Sequence, residues 1–273
     1  MNHTGCPALV DTTRDELRER IGLAHKRFDR LACSADPLAR PPGSDWTVQQ
    51  VIAHVLTVAH RYQAIASQRE FRRASRPHEV KVINQIELEE AMAPVPRLAD
   101  QLQELAPQID GYFDTLIEDR PAFEFHGGAL VSGFTAQTNW LGELLLHGHD
   151  VARAVNAPWE LPERDMLLVA RGLMQIASGY LRDGLSPTTN ICVAINVRGA
   201  RRYVMHIHDG TAEIRERRPH DRPDAVLRAP ASALTQLLYQ RIGPFTAVRR
   251  GMLITGGRRP WVALKLQSCS EPA

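Results

Sequence analysis

The spacing of apolar residues changes once along this 273-residue chain. Up to about Leu181, apolar side chains recur every three or four positions, which is the period of amphipathic helices. From Cys192 onward, short β-prone runs alternate with turns and with two helical segments. Helices followed by strands with inserted helices predict an α+β chain with two domains, residues 1–184 and residues 185–273.

The first domain is predicted to be an antiparallel bundle of four helices. Thr13 and Glu16 have the spacing of a helix start. Thr47 and Gln50 repeat that spacing before the second helix, which we expect to run towards Arg73. Facing helices of a bundle commonly build a binding site from their side chains, so the polar residues of these helices are candidates for such a site.

Prolines and a glycine-rich connection divide the rest of this domain. The third helical region, Val82 to Ile117, is interrupted near Pro94 and Pro96, because proline lacks the amide hydrogen that a helix interior needs. The fourth helix carries the stretch Asn139 to Asn156, and Ser132 or Thr135 upstream is placed to cap its start. A further short helix is predicted from Met166 to Leu181.

The second domain begins with a predicted meander of three antiparallel strands. A fourth strand, a helix, a helical turn after Pro244 and two last strands follow it. In chain order, the predicted strands and helix are Cys192 to Val197, Tyr203 to His208, Thr211 to Arg215, Ala225 to Arg228, the helix Ser232 to Arg241, Met252 to Thr255 and Trp261 to Leu266.

Charge and cysteine content limit the class of partner. The formal net charge is +2 with acidic and basic residues interspersed, which does not favour nucleic acid or an anionic membrane. Four cysteines without CxxC spacing are typical of a reducing compartment, and no apolar run reaches the roughly 20 residues of a membrane span. We therefore expect a cytoplasmic monomer or homodimer that acts on small molecules.

Glu143 and His147 are the candidate metal ligands of the fourth helix. Four residues apart, their side chains share one helix face, and His54 in the second helix is placed to supply a third ligand. Two histidines and one glutamate form a known ligand set for catalytic zinc, with one position open. On spacing alone, a solvated helix face explains Glu143 and His147 at least as well.

Two short stretches resemble the signatures of the DinB-like superfamily. They are residues 45–48 (DWTV) with residues 53–55 (AHV), and residues 143–154 (ELLLHGHDVARA). The branch that they resemble most is the mycothiol-dependent maleylpyruvate isomerase family. Residues 224–257 are similar to the sterol-carrier-like C-terminal domain that follows the bundle in that branch.

The resemblance implies a metal, usually zinc, held by His54, Glu143 and His147. It also implies that the metal binds a low-molecular-weight thiol, mycothiol, and holds it as the nucleophilic thiolate. The thiolate then supports either S-transfer to an electrophilic small molecule or thiol-assisted cis–trans isomerisation. Both reactions remain open at this stage.

Two further residues are assigned around this metal. Asp150 is expected to accept a hydrogen bond from a ligand histidine, although pairing with Arg153 or Arg61 explains it equally well. In the resembled family, an arginine of the C-terminal domain faces the bundle and holds a substrate carboxylate, which makes Arg241 the candidate catalytic and substrate-binding residue. A simpler interpretation of Arg241 is a cation near a helix C-terminus.

Two other functions are compatible with the sequence. In the first, the C-terminal domain binds a lipid or another apolar small molecule and the bundle is only a platform. The short predicted strands Cys192 to Val197 and Tyr203 to His208 argue against a deep lipid tunnel. In the second, the protein is a catalytically inactive sensor.

Overall fold

A computed structural model describes residues 9–177, 181, 182, 185 and 188–269. Helices dominate up to residue 176, and strands with two inserted helices follow, so the predicted α+β fold class is confirmed. The described elements are α1 Arg14–Ser34, α2 Val48–Ala66, α3 Val80–Ala91, α4 Val95–Thr115, β1 Pro121–Glu124, β2 Leu130–Ser132, α5 Gly133–Ala154, α6 Glu163–Ile176, β3 Ile191–Val197, β4 Tyr203–His208, β5 Thr211–Glu216, β6 Ala225–Ala229, α7 Ala231–Leu238, α8 Pro244–Arg249 and β7 Leu253–Gly256.

Helices α1, α2, α4 and α5 form the predicted bundle. α1 packs against α5 and α4, and α2 packs against α4 and α5. The apolar residues between them are fully or almost fully buried, including Leu17, Phe28, Ile52, Leu98 and Leu144. α6 covers another side of α5 and also packs against α7. Because α5 is enclosed from several sides, polar residues on it are removed from water.

The starts of the helices follow the sequence signals. The Thr47 hydroxyl accepts a hydrogen bond from the Gln50 amide at 3.3 Å, and the Gln50 side chain accepts one from the Thr47 amide at 2.8 Å, which completes a capping box. The end of α2 was predicted wrongly. α2 stops at Ala66 rather than near Arg73, because Gln68 adopts a left-handed backbone conformation with φ of +53°.

Two other features of the bundle differ from the sequence prediction. The glycine-rich connection before α5 was expected to be a loop, whereas β1 and β2 pair within it as an antiparallel hairpin. The helix expected from Met166 to Leu181 starts earlier, at Glu163, and ends at Ile176. The break near Pro94 is confirmed, since α3 ends at Ala91 and α4 begins at Val95.

The sheet has the strand order β5-β4-β3-β6-β7. β3, β4 and β5 form the predicted antiparallel meander, β6 is parallel to β3, and β7 is antiparallel to β6. The strand predicted at Trp261 to Leu266 is wrong. That segment belongs to a 3-10 helix, Pro260–Cys269, because β7 already occupies the edge beside β6 and the segment packs across both strands instead.

The predicted boundary between residues 184 and 185 stays a prediction, since residue 184 lies outside the described residues. Among the described helices, none has the length and apolar character that crossing a lipid bilayer requires.

Candidate metal centre

Helix α5 carries most of the candidate site. It starts at a cap in which the Ser132 hydroxyl accepts a hydrogen bond from the Thr135 amide at 3.2 Å. The helical rotation then places Glu143, His147 and Asp150 on one face, towards α2. His147 and Asp150 are buried there, 8% and 9% exposed, because α1, α2 and α6 surround α5.

The structure brings His54, Glu143 and His147 together. Glu143 Oε2 lies 3.3 Å from His147 Nε2 and 3.7 Å from His54 Nε2. The two imidazole rings have centroids 4.9 Å apart and meet edge to face. Two atoms bound to one tetrahedral zinc at ~2.0–2.1 Å lie about 3.3 Å apart, so these three side chains already have nearly the spacing of zinc ligands.

The side chains present also fit a cation by their unmet hydrogen-bonding needs. Glu143 Oε2 is buried and has no hydrogen bond of acceptable geometry, although two imidazole nitrogens flank it. An ionised oxygen in that position costs at least about 1–3 kcal/mol when it is left unsatisfied. A bound divalent cation would satisfy this oxygen and accept the lone pairs of the two histidines.

Electrostatics keep Glu143 and His54 in the protonation states that a cation needs. His147 differs, because burial alone would lower its pKa but contacts with Asp150 and Glu143 raise it above the ordinary value. Burial alone would raise the pKa of Glu143, but contacts with His147 and His54 hold it below the ordinary value. Burial lowers the pKa of His54 to about 4. An ionised carboxylate and a neutral imidazole are the forms in which these residues bind metals.

Asp150 and Arg241 extend the cluster to the C-terminal half of the chain. Asp150 Oδ2 lies 3.4 Å from His147 Nδ1, and Arg241 places Nε and Nη2 at 3.0 Å and 2.9 Å from the same oxygen. Arg241 Nη1 also donates to the Tyr239 carbonyl at 3.1 Å. These contacts use three of the five guanidinium N–H groups, which leaves two for a ligand.

The arginine that pairs with Asp150 is neither Arg153 nor Arg61, the two that the sequence suggested. Arg61 instead bonds Glu87 and Asn84, at 2.8 Å and 2.6 Å. Arg153 lies on α5 but is not the partner, since Arg241, 91 positions away in sequence, takes that place. No local spacing signal identifies a contact of this range.

His126 is a buried residue near the site that the sequence analysis missed. Its Nδ1 accepts a hydrogen bond from the Ala74 amide at 3.0 Å, so the proton must lie on Nε2. That Nε2 is buried without a partner. Burial lowers the pKa of His126 to about 3, and Coulombic repulsion from Arg61 and His54 adds to the effect. His126 lies in the connection before α5, where no periodicity draws attention to it.

His149 is not part of the cluster, because a separation of two residues turns its side chain roughly 160° around the helix from His147. Trp46, by contrast, lies directly against the site, with its ring centroid 5.0 Å from that of His54. The Trp46 indole also donates to Gln85 at 3.3 Å, which fixes the ring over the imidazole. The DWTV stretch therefore supplies both the cap of α2 and an apolar wall for His54.

A separate cavity lies between α6, α7 and the inner face of the sheet. Its volume is about 300 Å³, and its lining is almost entirely apolar. The short strands argued against a deep lipid tunnel, and this smaller chamber exists because helices rather than longer strands supply its other walls. Representative lining residues are Leu173, Ile195, Met205, Leu234, Met252 and Ile254.

Comparison with known proteins identifies the helical part. Residues 21–152 match the family model of the mycothiol maleylpyruvate isomerase N-terminal domain. The crystal structure of the mycothiol-dependent maleylpyruvate isomerase is similar, with a TM-score of 0.53 at 15% sequence identity over 90% of this chain and 95% of that chain. A histidine-to-alanine variant of that enzyme gives a TM-score of 0.49 at 12% identity, over 83% of this chain and 88% of that chain. No curated protein matches the chain.

The structural similarity shows a shared fold over both halves of the chain. The family match covers α2 to α5, which are the elements that carry His54, Glu143 and His147. The recognition made from the two short motifs is thus confirmed for the helical part: residues 21–152, a little under half of the chain, match the mycothiol maleylpyruvate isomerase N-terminal domain.

Proposed function

We propose that this protein is a metal-dependent enzyme that activates a low-molecular-weight thiol, mycothiol, towards an electrophilic small molecule. The observation that carries this proposal is the buried Glu143 oxygen, held between two imidazoles without a hydrogen bond. Such an arrangement is costly unless a cation completes it. Imidazole and carboxylate ligands suit zinc, which is the metal we propose.

When bound, the divalent cation supplies Lewis acidity that favours the thiolate form of the thiol at neutral pH. His54, Glu143 and His147 hold it. Asp150 faces His147 Nδ1 at 3.4 Å and favours a proton on that nitrogen, which leaves the lone pair on Nε2 beside Glu143. Trp46 and the surrounding bundle keep water away from this face of the site.

Two further side chains have donors left for the substrates. Arg241 keeps two N–H groups, which we assign to a carboxylate of the electrophile. His126 keeps its buried Nε2–H, which we assign to stabilising negative charge on the thiol or on the substrate during reaction. The proposed substrate class is therefore a carboxylate-bearing electrophile.

Thiol-assisted isomerisation and S-transfer use the same thiolate and the same donors, so both reactions belong to this proposal. The thiol forms of Cys33, Cys192 and Cys269 are consistent with a reducing cytoplasm, where we propose that the enzyme works.

Metal content and turnover test the proposal together. Zinc bound per chain would be measured by elemental analysis after dialysis, for the native protein, His54→Ala and Glu143→Gln. A matched control is His60→Ala, which removes an exposed histidine from the same helix. Isomerisation of maleylpyruvate in the presence of mycothiol would then be followed, because this reaction regenerates the thiol. Consumption of mycothiol would be followed with other electrophiles that carry a carboxylate, because S-transfer uses up the thiol.

We expect zinc in the native protein and in His60→Ala, and loss of both zinc and turnover in His54→Ala and Glu143→Gln. Full zinc content in His54→Ala would overturn the ligand assignment. A native protein that keeps zinc but shows no thermal stabilisation by mycothiol and no turnover would overturn the role of the thiol.

The apolar cavity favours a second candidate function, which is binding of an apolar small molecule such as a fatty acid. A chamber of about 300 Å³ with apolar walls accepts such a ligand without leaving polar groups unsatisfied. Several exposed apolar side chains, among them Val248, Leu253 and Leu264, both line this cavity and reach its surface. They give an apolar ligand a continuous path from solvent.

A fluorescent fatty acid tests this second function. Leu234→Trp would fill the cavity, whereas Leu23→Trp, at an exposed site on α1, would not. Saturable binding that falls at least tenfold in Leu234→Trp alone would support it. Equal binding by both variants would exclude the cavity as the binding site.

A further inference from the structure

The outer face of the sheet carries a second group of possible metal ligands. Met205 and Ile207 on β4 line the apolar cavity, so the alternating residues His206 and His208 project from the opposite face. β5 is antiparallel to β4, and its register places Glu213 directly opposite His206. The two strands therefore present two imidazoles and one carboxylate side by side.

Distances within this group are short enough for a shared ion. One ligand atom from each of His206, His208 and Glu213 lies within 4.8 Å of the other two. The two imidazole rings have centroids 4.4 Å apart. His206 and Glu213 are held by the strand register and not by a flexible loop, so only side-chain rotation is needed to close the site.

Each imidazole also has an oxygen acceptor for one of its ring nitrogens. His206 Nε2 lies 2.9 Å from Asn190 Oδ1, and His208 Nδ1 lies 3.1 Å from Asp209 Oδ2. A proton donated to these oxygens leaves His206 Nδ1 and His208 Nε2 with lone pairs. This is the arrangement that metal-ligating histidines usually have, with the second nitrogen bound to a carbonyl or carboxylate oxygen.

Turning Glu213 towards a shared ion costs little free energy. Its nearest cation is Arg215, whose Nε lies 3.6 Å from Glu213 Oε1. Arg215 is held more closely by Asp221, with two hydrogen bonds of 2.8 Å. Glu213 is also half exposed, so turning it towards the histidines breaks only a weak ion pair.

We propose that His206, His208 and Glu213 form a second divalent metal site, independent of the cluster in the bundle. Imidazole nitrogens with one carboxylate select a transition cation such as Zn²⁺, Ni²⁺ or Cu²⁺ over Mg²⁺ or Ca²⁺. The site is open to solvent on one side, so water completes the coordination. An ion bound there joins β4 to β5 and stabilises the meander.

Zinc uptake by the full-length protein tests this site. Calorimetric titration with Zn²⁺ would compare the native protein, His206→Ala, His208→Ala and the His206→Ala/His208→Ala double variant. Two matched controls are available. Cys192→Ser changes the residue opposite His206 on β3, and His220→Ala removes an exposed histidine outside the group.

We expect a second, weaker zinc ion in the native protein and in both controls. Its affinity should fall at least tenfold in each single histidine variant, and its binding should vanish in the double variant. His54→Ala, which removes a ligand of the bundle cluster, should leave it unchanged. Unaltered uptake in the double variant, or equal loss in Cys192→Ser, would overturn the proposed ligand set.

Discussion

Among the residues that the structure describes, two groups of two histidines and one glutamate are built on different backbones. In the bundle, His147 and Glu143 share one helix and His54 comes from another, and the histidines are buried. On the sheet, a strand repeat of two and the pairing of neighbouring strands create the second group, which stays partly exposed.

The two groups differ in how well the charge of the glutamate is satisfied without a bound ion, and burial causes this difference. Glu143 Oε2 lies inside the bundle without a hydrogen bond, and we propose that a cation satisfies its charge. Glu213 reaches water and an arginine, so the sheet group is stable without one. We therefore expect the bundle ion to be tight and structural as well as catalytic, and the sheet ion to be weaker and exchangeable.

Removing metal should have the largest effect, and it should separate the two groups. With free zinc 1,000-fold above the dissociation constant of the bundle site, chelation should lower the free energy of unfolding by about 4 kcal/mol, because the folded state alone binds the ion. His54→Ala should remove most of this difference, and His206→Ala much less. Urea unfolding with buffered zinc measures both, and an equal effect of the two variants would contradict the comparison.

The second prediction concerns pH and the interior of the bundle. The pKa of His126 falls from 6.5 to about 3 in the folded protein, so the unfolded chain binds a proton first as pH decreases. Stability should therefore be lost between about pH 6.5 and 3, by about 3 kcal/mol at pH 4.5. In metal-free protein, urea unfolding of His126→Gln should show a smaller loss on acidification than the native protein.

His220→Gln, at an exposed position of the C-terminal half, serves as the control for that measurement. It should lose as much stability on acidification as the native protein does. An identical acid dependence of His126→Gln and the native protein would show that His126 is not a buried neutral histidine.

A third prediction tests how closely the bundle group depends on helix packing. A Cβ on Gly148 would overlap the indole of Trp159, which packs against α5 and donates to the Leu145 carbonyl at 3.0 Å. Gly148→Ala should cost about 2 kcal/mol of stability and weaken zinc binding at the adjacent His147. Zinc binding on the sheet should not change.

Gly22→Ala on α1 is the matched control, because a Cβ there meets no atom within 4 Å. It should be neutral or stabilising, since alanine favours a helix over glycine by up to about 1 kcal/mol. Thermal unfolding and zinc titration of both variants provide the readout. Equal stability of the two variants would contradict the packing argument.

The smallest expected effect concerns Arg241. Arg241→Gln should raise KM for a carboxylate-bearing substrate about tenfold, or about 1.4 kcal/mol, while zinc content at saturating zinc stays the same. Arg249→Gln, at an exposed position nearby, should change neither value. Steady-state kinetics over a range of substrate concentrations separates KM from kcat, and an unchanged KM would show that Arg241 does not bind the substrate.

Local signals predicted much of the fold and the positions of the proposed ligands. Helical periodicity and the Thr47 cap placed α2, and the spacing of Glu143 and His147 placed both on one face of α5. Their meeting with His54 rests on packing between helices, and the sequence suggested it only through the resemblance to a known family. The assignment of the three as metal ligands stays a prediction.

Features that depend on distant contacts were missed. The pairing of Arg241 with Asp150 joins residues from different halves of the chain, and spacing carries no signal for it. The apolar cavity needs α6 and α7 against the sheet, so strand length alone carries no signal for it. The final segment was assigned to a strand from its apolar residues, although an edge position beside β6 was already filled by β7.

The salt bridge between Arg241 and Asp150 has an energetic consequence for the whole chain. Arg241 follows the end of α7, so its salt bridge with Asp150 links the position of α7 to the charge on His147. By thermodynamic linkage, binding of a cation in the bundle and docking of the C-terminal half would then influence each other by the same free energy. A substrate carboxylate that draws Arg241 away from Asp150 would change the basicity of His147 and its grip on the ion. Arrival of the proposed substrate would thereby be communicated to the proposed metal without any movement of the helices.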